Sequence, residues 1–99
     1  MSRILIQADP DLAELIPGFL EKRVAEIATL REALARADLD AVRAIAHKIK
    51  GNAGGYGFDA MGDIGARLET VAKAGDAEAA ASAVDELADH LQRIDVVYP

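Results

Sequence analysis

Apolar residues along this chain recur at three- and four-residue steps, the spacing that places them on one face of an α-helix. The pattern predicts four long helices, the first of them over about 17–37. Their inward-facing residues are Leu20, Val24, Ile27, Leu30 and Leu34 in the first helix, Val42, Ile45, Ala46 and Ile49 in the second, Met61, Ile64, Leu68 and Val71 in the third, and Ala80, Val84, Leu87, Leu91 and Ile94 in the fourth.

A shorter helix is predicted ahead of these four. Asp9 supplies an N-cap and Pro10 occupies the first helical position, where a proline is tolerated. We expect Pro17 to end or kink this helix. Its apolar residues would be Leu12, Leu15, Ile16 and Phe19.

The helix boundaries carry further signals. We expect Asp38 or Asp40 to cap the second long helix and Asp59 to cap the third. Gly75 would close the third helix, and Asp76 would open the fourth immediately afterwards.

Short connections between long helices favour antiparallel neighbours. The predicted fold is therefore all-α: an antiparallel up-down-up-down four-helix bundle with a short additional N-terminal helix, formed by a single domain over 1–99. Strand-like alternation occurs only at 3-RILIQ-7 and at the C-terminal end.

Composition narrows the function classes. The chain has no cysteine, which excludes disulfides and thiolate metal sites and fits a reducing compartment. It has no apolar run near the ~18 residues of a membrane span, and its apolar start is too short for a signal peptide. We therefore expect a cytoplasmic protein without a membrane partner. The net charge of −6 argues against a nucleic-acid partner, because a phosphate backbone requires a basic face.

Basic charge is concentrated in one window. The segment 41–58 contains Arg43, Lys48 and Lys50 and no acidic residue. It overlaps the stretch 47-HKIKGNAGGYGF-58, in which a histidine and two lysines lead into four glycines. The cluster indicates either an ordinary solvated helix face or a docking surface for an acidic partner.

A helical wheel at about 100° per residue places His47 opposite the apolar stripe of its helix, so the imidazole should face solvent. The same side of the helix carries Arg43, Lys50, Gly51 and Gly54. Two interpretations of the glycines remain open: they let another protein approach the imidazole closely, or they simply end the helix.

An exposed neutral imidazole is a nucleophile near pH 7, and Lys50, one turn further on, disfavours the imidazolium by like-charge repulsion. No acidic residue lies between Asp40 and Asp59, so we see no general base, and hydrolysis or acyl transfer by this chain alone is not supported. A metal site would have to join His47 to His90 on another helix, and a phosphate-binding loop would need a preceding strand. We expect no metal and no cofactor.

The residues His47-Lys48-Ile49-Lys50-Gly51, followed by 52-NAGGYG-57, resemble the signature of histidine-containing phosphotransfer (HPt) domains. The apolar lead-in 41-AVRAIA-46 also fits, as do 68-LE-69 and 75-GD-76. The similarity runs from about Asp9 to Ile94. Asn52 is a departure, since the family more often has serine or alanine there.

The resemblance implies a four-helix bundle in which His47 accepts a phosphoryl group on Nε2, Lys50 stabilises it and Gly51 leaves room for it. The partner-binding residues would be Arg43, Ala44, Lys48, Gly51 and Gly54. The partners would be response-regulator receiver domains, which supply the phospho-aspartate and Mg²⁺, with a hybrid histidine kinase as a further candidate. The chain would be a monomeric phosphocarrier rather than an enzyme.

The alternative is a helical interaction module of this kind that has no phosphotransfer activity, because a fold alone does not fix function. Such a module would not need His47 and Lys50 one turn apart on an acid-free face. For the remaining candidates, we expect His90 at the surface or boundary of its helix and Tyr56 in the core. The position of Phe58 stays open between packing at a turn and the His47 side.

Overall fold

The computed structural model describes residues 2–99. Its regular elements are strand β1 (Ile4–Gln7), helices α1 (Ile16–Ala35), α2 (Leu39–Ala53), α3 (Asp59–Lys73) and α4 (Ala77–Arg93), and strand β2 (Ile94–Val97). Two single turns of 3₁₀-helix, Pro10–Leu12 and Gly54–Tyr56, precede α1 and follow α2.

The four helices form a closed bundle. Helix α2 packs on α1 and α3, and α4 packs on α1 and α3. The centre is filled by aliphatic and alanine side chains from all four helices, such as Leu30, Ile49, Leu68 and Leu87. The predicted all-α class is confirmed, while the antiparallel order of neighbouring helices stays a prediction that rests on the short connections. Within residues 2–99, none of the helices combines the length and the apolar character that crossing a bilayer requires.

The predicted N-terminal helix is only one 3₁₀ turn, in which the Asp9 carboxylate accepts a hydrogen bond from the Asp11 N–H at 2.9 Å. Ile16 and Phe19, expected in that helix, belong to α1. Pro17 lies in the first turn of α1, where its missing N–H would have no intrahelical partner. The proline therefore neither ends nor kinks a helix, and that prediction was wrong.

Among the three long helices for which the sequence predicts an aspartate cap, two have it. The Asp38 carboxylate accepts the Ala41 N–H at 3.1 Å at the start of α2, and the Asp76 carboxylate accepts the Ala79 N–H at 3.0 Å at the start of α4. Asp59, the expected cap of α3, instead lies inside the first turn after Phe58. A carboxylate in the first turn still stabilises the helix by interacting with the positive end of its dipole.

The strand-like patterns at both ends of the chain form one two-stranded parallel sheet, in which Ile4 is paired with Ile94. Arg3 donates hydrogen bonds to the carbonyls of Gln92 and Ile94, each at 3.0 Å. Arg93 donates in return to the Ser2 carbonyl at 2.8 Å. These bonds join the N-terminal strand to the end of α4, so Ile94 begins β2 and does not continue the helix.

Three aromatic rings fix the segment between α2 and α3. The Phe19 ring stacks on Tyr56 at 4.4 Å between centroids and on Phe58 at 5.4 Å. The sequence left two alternatives for Phe58, packing at the turn or the His47 side. Phe58 is fully buried, so it packs at the turn. Tyr56, expected in the core, is only half-buried and packs against the core from its edge.

Candidate functional site

His47 and Lys50 project from the solvent side of α2. Their side chains are 68 % and 50 % exposed. The opposite side of the helix buries Val42, Ala46 and Ile49 completely. The exposure of His47 that the helical wheel predicts is therefore confirmed, and the imidazole and the ammonium both reach solvent from the same helix.

A carboxylate from another helix completes this pair. Glu69 of α3 places Oε2 2.7 Å from His47 Nδ1 and Oε1 3.1 Å from Lys50 Nζ. One carboxylate thus binds both α2 side chains, one oxygen to each. Its own side chain is only 11 % exposed, so the packing of α3 against α2 restrains it.

Sequence reasoning missed Glu69 as a site residue. The window around His47 lacks acidic residues along the chain, but it does not lack them in space, since Glu69 lies 22 positions further on. The expectation that His47 and Lys50 lie on an acid-free face was therefore wrong. A signal was present: Glu69 follows Leu68 of the apolar stripe, so its carboxylate lies at the edge of the α3 face that packs inward.

The charge of Glu69 decides which ring nitrogen of His47 carries a proton. The hydrogen bond from Lys50 lowers the pKa of the Glu69 carboxyl, and the hydrogen bond from His47 lowers it further. An ionised carboxylate can only accept hydrogen bonds, so Nδ1–H of His47 must donate. In the neutral ring the lone pair is then on Nε2, which is the nitrogen turned away from Glu69.

This geometry supports nucleophilic attack by Nε2. In a catalytic triad, a carboxylate orients an imidazole that activates a hydroxyl or thiol nucleophile. Here a carboxylate also orients the imidazole, but the imidazole nitrogen itself is the nucleophile. Lys50, which binds the same carboxylate as the imidazole, adds a positive charge to this site.

The glycines after His47 do not share one role. Gly51 lies within α2, and a Cβ atom there would have no neighbour within 4 Å. Gly54 and Gly55 form the 3₁₀ turn and are equally open. Of the four glycines in 47–58, only Gly57, with φ of 87°, has the left-handed backbone that favours glycine. The helix-ending interpretation therefore applies to Gly57, and the accessible surface interpretation fits Gly51 and Gly54.

The other predicted partner-binding residues share this side of the bundle with His47. Ala44 and Lys48 are exposed on α2, and Arg43 is half-buried. Gly51 and Gly54 are also exposed, and the role of these five residues in partner binding stays a prediction. We call this set of five residues with His47 and Lys50 the α2 face.

His90 is buried, contrary to expectation. It is 6 % exposed, and its Nε2 has no hydrogen-bond partner among the described residues. Burial lowers its pKa, and the charge of Arg93 lowers it further. Among residues 2–99, no three histidine or acidic side chains are grouped as metal ligands would be. The two histidines of the chain thus occupy opposite environments.

Comparison with known proteins gives one result. A family model described as Hpt domain matches residues 14–96. No significant match is found among curated proteins or among solved structures.

Proposed function

The chain belongs to the Hpt domain family, and from this membership we propose that it relays a phosphoryl group through His47 to and from aspartates of receiver domains. Hpt domains are histidine phosphotransfer modules of two-component systems and act as phosphocarriers rather than catalysts. They interact with response-regulator receivers and histidine kinases. The residue, the atom and the docking face in this chain are our proposal.

The hydrogen bond between His47 Nδ1 and Glu69 Oε2 carries the proposal. It holds the ring in the tautomer with a free lone pair on Nε2 and fixes the orientation of that lone pair. A side chain that is 68 % exposed would otherwise rotate freely in solvent. Pre-orienting the nucleophile lowers the entropic cost of reaching an in-line geometry with a bound acyl phosphate.

In the proposed transfer, the Nε2 lone pair attacks the phosphorus of the receiver's aspartyl phosphate. An N–P bond forms as the P–O bond breaks, and the bonding electrons return to the aspartate carboxylate. The reverse reaction restores the aspartyl phosphate. Nδ1 keeps its proton, so the Glu69 carboxylate faces the positive charge of the phosphorylated ring, and Lys50 can pair with the phosphoryl oxygens. The receiver would supply the Mg²⁺ that this chemistry uses.

The α2 face suits an acidic partner. Arg43, Lys48 and Lys50 carry its charge, whereas the rest of the chain is acidic. A local positive patch steers an acidic surface and accelerates encounter, an effect that salt weakens. Open space at Gly51 and Gly54 leaves room for a partner backbone close to the imidazole. We also propose that the domain acts as a cytoplasmic monomer, as expected from its sequence.

The test is transfer from isotopically labelled, phosphorylated receivers to the whole chain. We expect the wild-type chain and His90→Gln to become labelled and His47→Gln to stay unlabelled, with circular dichroism confirming that both variants are folded. The label should be lost in acid and kept in base. A receiver that binds the chain without transfer would support the alternative interaction module, and label on His47→Gln would overturn the assignment of His47.

A further inference from the structure

Helix α3 lies very close to α2 at Gly65. A Cβ atom at this position would lie 2.9 Å from the backbone nitrogen of Lys50, 3.0 Å from Cγ2 of Ile49 and 3.3 Å from the carbonyl oxygen of Ala46. The nearest of these atoms belongs to helix backbone, which cannot move without the rest of its turn. Any side chain at 65 would therefore force the two helices apart.

The close approach occurs at the level of the candidate site. Gly65 precedes Glu69 by one helical turn, so the two residues share one face of α3. On α2 the atoms that crowd Gly65 belong to residues on either side of His47 and to Lys50 itself. The spacing of the helices at Gly65 thus sets the distance across which Glu69 must reach.

We propose that Gly65 is a positioning residue for phosphotransfer: its missing side chain lets α3 lie close enough to α2 for Glu69 to bind His47 and Lys50 together. This inference rests on the proposed function, since it concerns the orientation of the same imidazole. The contact it serves is short, 2.7 Å to Nδ1 and 3.1 Å to Nζ, and hydrogen bonds weaken quickly with distance and misalignment. A largely buried carboxylate has little freedom to follow a displaced partner.

The chain offers a matched control in Gly62, which faces the same helix about one turn earlier. A Cβ atom at Gly62 would lie 3.7 Å from Ala53 Cβ and 3.8 Å from the Lys50 carbonyl oxygen. These are ordinary van der Waals distances, so alanine fits there without moving either helix. Both substitutions replace a helical glycine by alanine and differ only in what the new methyl group meets.

The experiment compares Gly65→Ala with Gly62→Ala in the whole chain. Long-range ¹H–¹⁵N spectra report which nitrogen of His47 carries the proton, and melting curves confirm folding. We expect the wild-type chain and Gly62→Ala to hold the Nδ1–H tautomer, and Gly65→Ala to show a mixture of tautomers and transfer that is several-fold slower. A Gly65→Ala variant with the wild-type tautomer would overturn the proposal.

A second variant covers the case in which Gly65→Ala does not fold. Glu69→Asp shortens the reach of the carboxylate and leaves the helix contact at Gly65 intact. We expect it to lose the Nδ1–H preference in the same way, and retention of that preference would show that the helix spacing is not critical. The tautomer is measured without a receiver, so this test stands even if no receiver transfers a phosphoryl group.

Discussion

His47 Nδ1 and Glu69 Oε2 lie 2.7 Å apart, although they belong to different helices and are separated by 22 positions in the chain. This contact fixes the tautomer of an exposed histidine from within the bundle. Burying a carboxylate costs free energy unless it is paired. The bonds from His47 and Lys50 supply that pairing, which explains how α3 can carry Glu69 on the face that packs against α2.

The contact can be tested by two substitutions at Glu69. Glu69→Ala removes the acceptor, so we expect His47 to populate both tautomers and transfer to slow. Glu69→Gln keeps an acceptor oxygen but removes the charge that binds Lys50. We expect it to hold more of the Nδ1–H tautomer than Glu69→Ala does. Equal tautomer populations in the wild-type chain, Glu69→Ala and Glu69→Gln would show that Glu69 does not orient the ring.

Lys50→Ala should separate phosphoryl stabilisation from folding. The side chain is half exposed but binds the largely buried Glu69 carboxylate, so its loss should lower the free energy of unfolding by about 1 kcal/mol while the chain still folds. Transfer should slow markedly because the phosphoryl oxygens lose an ammonium partner. Lys73→Ala on α3 is the matched control, since Lys73 is an exposed lysine outside the α2 face. Equal transfer rates in the two variants would leave Lys50 without a role.

Gly51 tests whether the α2 face must remain open. Gly51→Ala should raise the free energy of unfolding by roughly 0.8–1.0 kcal/mol, because the residue is helical and a Cβ has open space. Gly51→Glu should fold, yet bind receivers and accept phosphate less well, since it places a negative side chain one turn from His47.

The contrast is Gly57→Ala, where φ of 87° is unfavourable for alanine by about 1–2 kcal/mol. Melting curves distinguish the two positions. A large loss of stability in Gly51→Ala would contradict the helical, open environment assigned to Gly51.

His90 gives a prediction about pH. Burial lowers its pKa below the ordinary 6.5, so the folded chain binds this proton less readily than the unfolded chain does. The stability associated with neutral His90 is therefore fully present above pH 6.5 and is lost as the pH falls through the folded pKa. Asp89 and Glu86 oppose the shift, and Arg93 reinforces it.

Denaturant unfolding at several pH values measures this loss. We expect His90→Gln to weaken the pH dependence just below 6.5. The contribution of Glu69 is lost only at lower pH, because its pKa is lowered from 4.5. An unchanged slope in His90→Gln would mean that His90 binds a proton equally well in both states.

Local patterns in the sequence predict much of this molecule. The spacing of the apolar residues predicts the four helices, and the same spacing predicts that His47 lies on the solvent side of α2. Asp38 and Asp76 bind backbone groups within their own first turns, so their roles as caps can be read from neighbouring residues.

The missed features depend on contacts between distant segments. Glu69 reaches His47 only because α3 lies close to α2, and the pairing of β1 with β2 joins the two ends of the chain. His90 follows the same rule: its place beside the apolar stripe of α4 suits a boundary residue, but the elements packed around it bury it. Periodicity assigns a face to each helix and does not give the separation between two helices.

The most direct measurement of the central claim is the site of phosphorylation at atomic resolution. The whole chain, labelled with ¹⁵N and phosphorylated by a receiver, is examined by ³¹P and long-range ¹H–¹⁵N spectroscopy in neutral or basic buffer. We predict a single phosphoryl group on Nε2 of His47, with Nδ1 still protonated against Glu69. A phosphoryl group on Nδ1 of His47, or one on His90, would contradict the account.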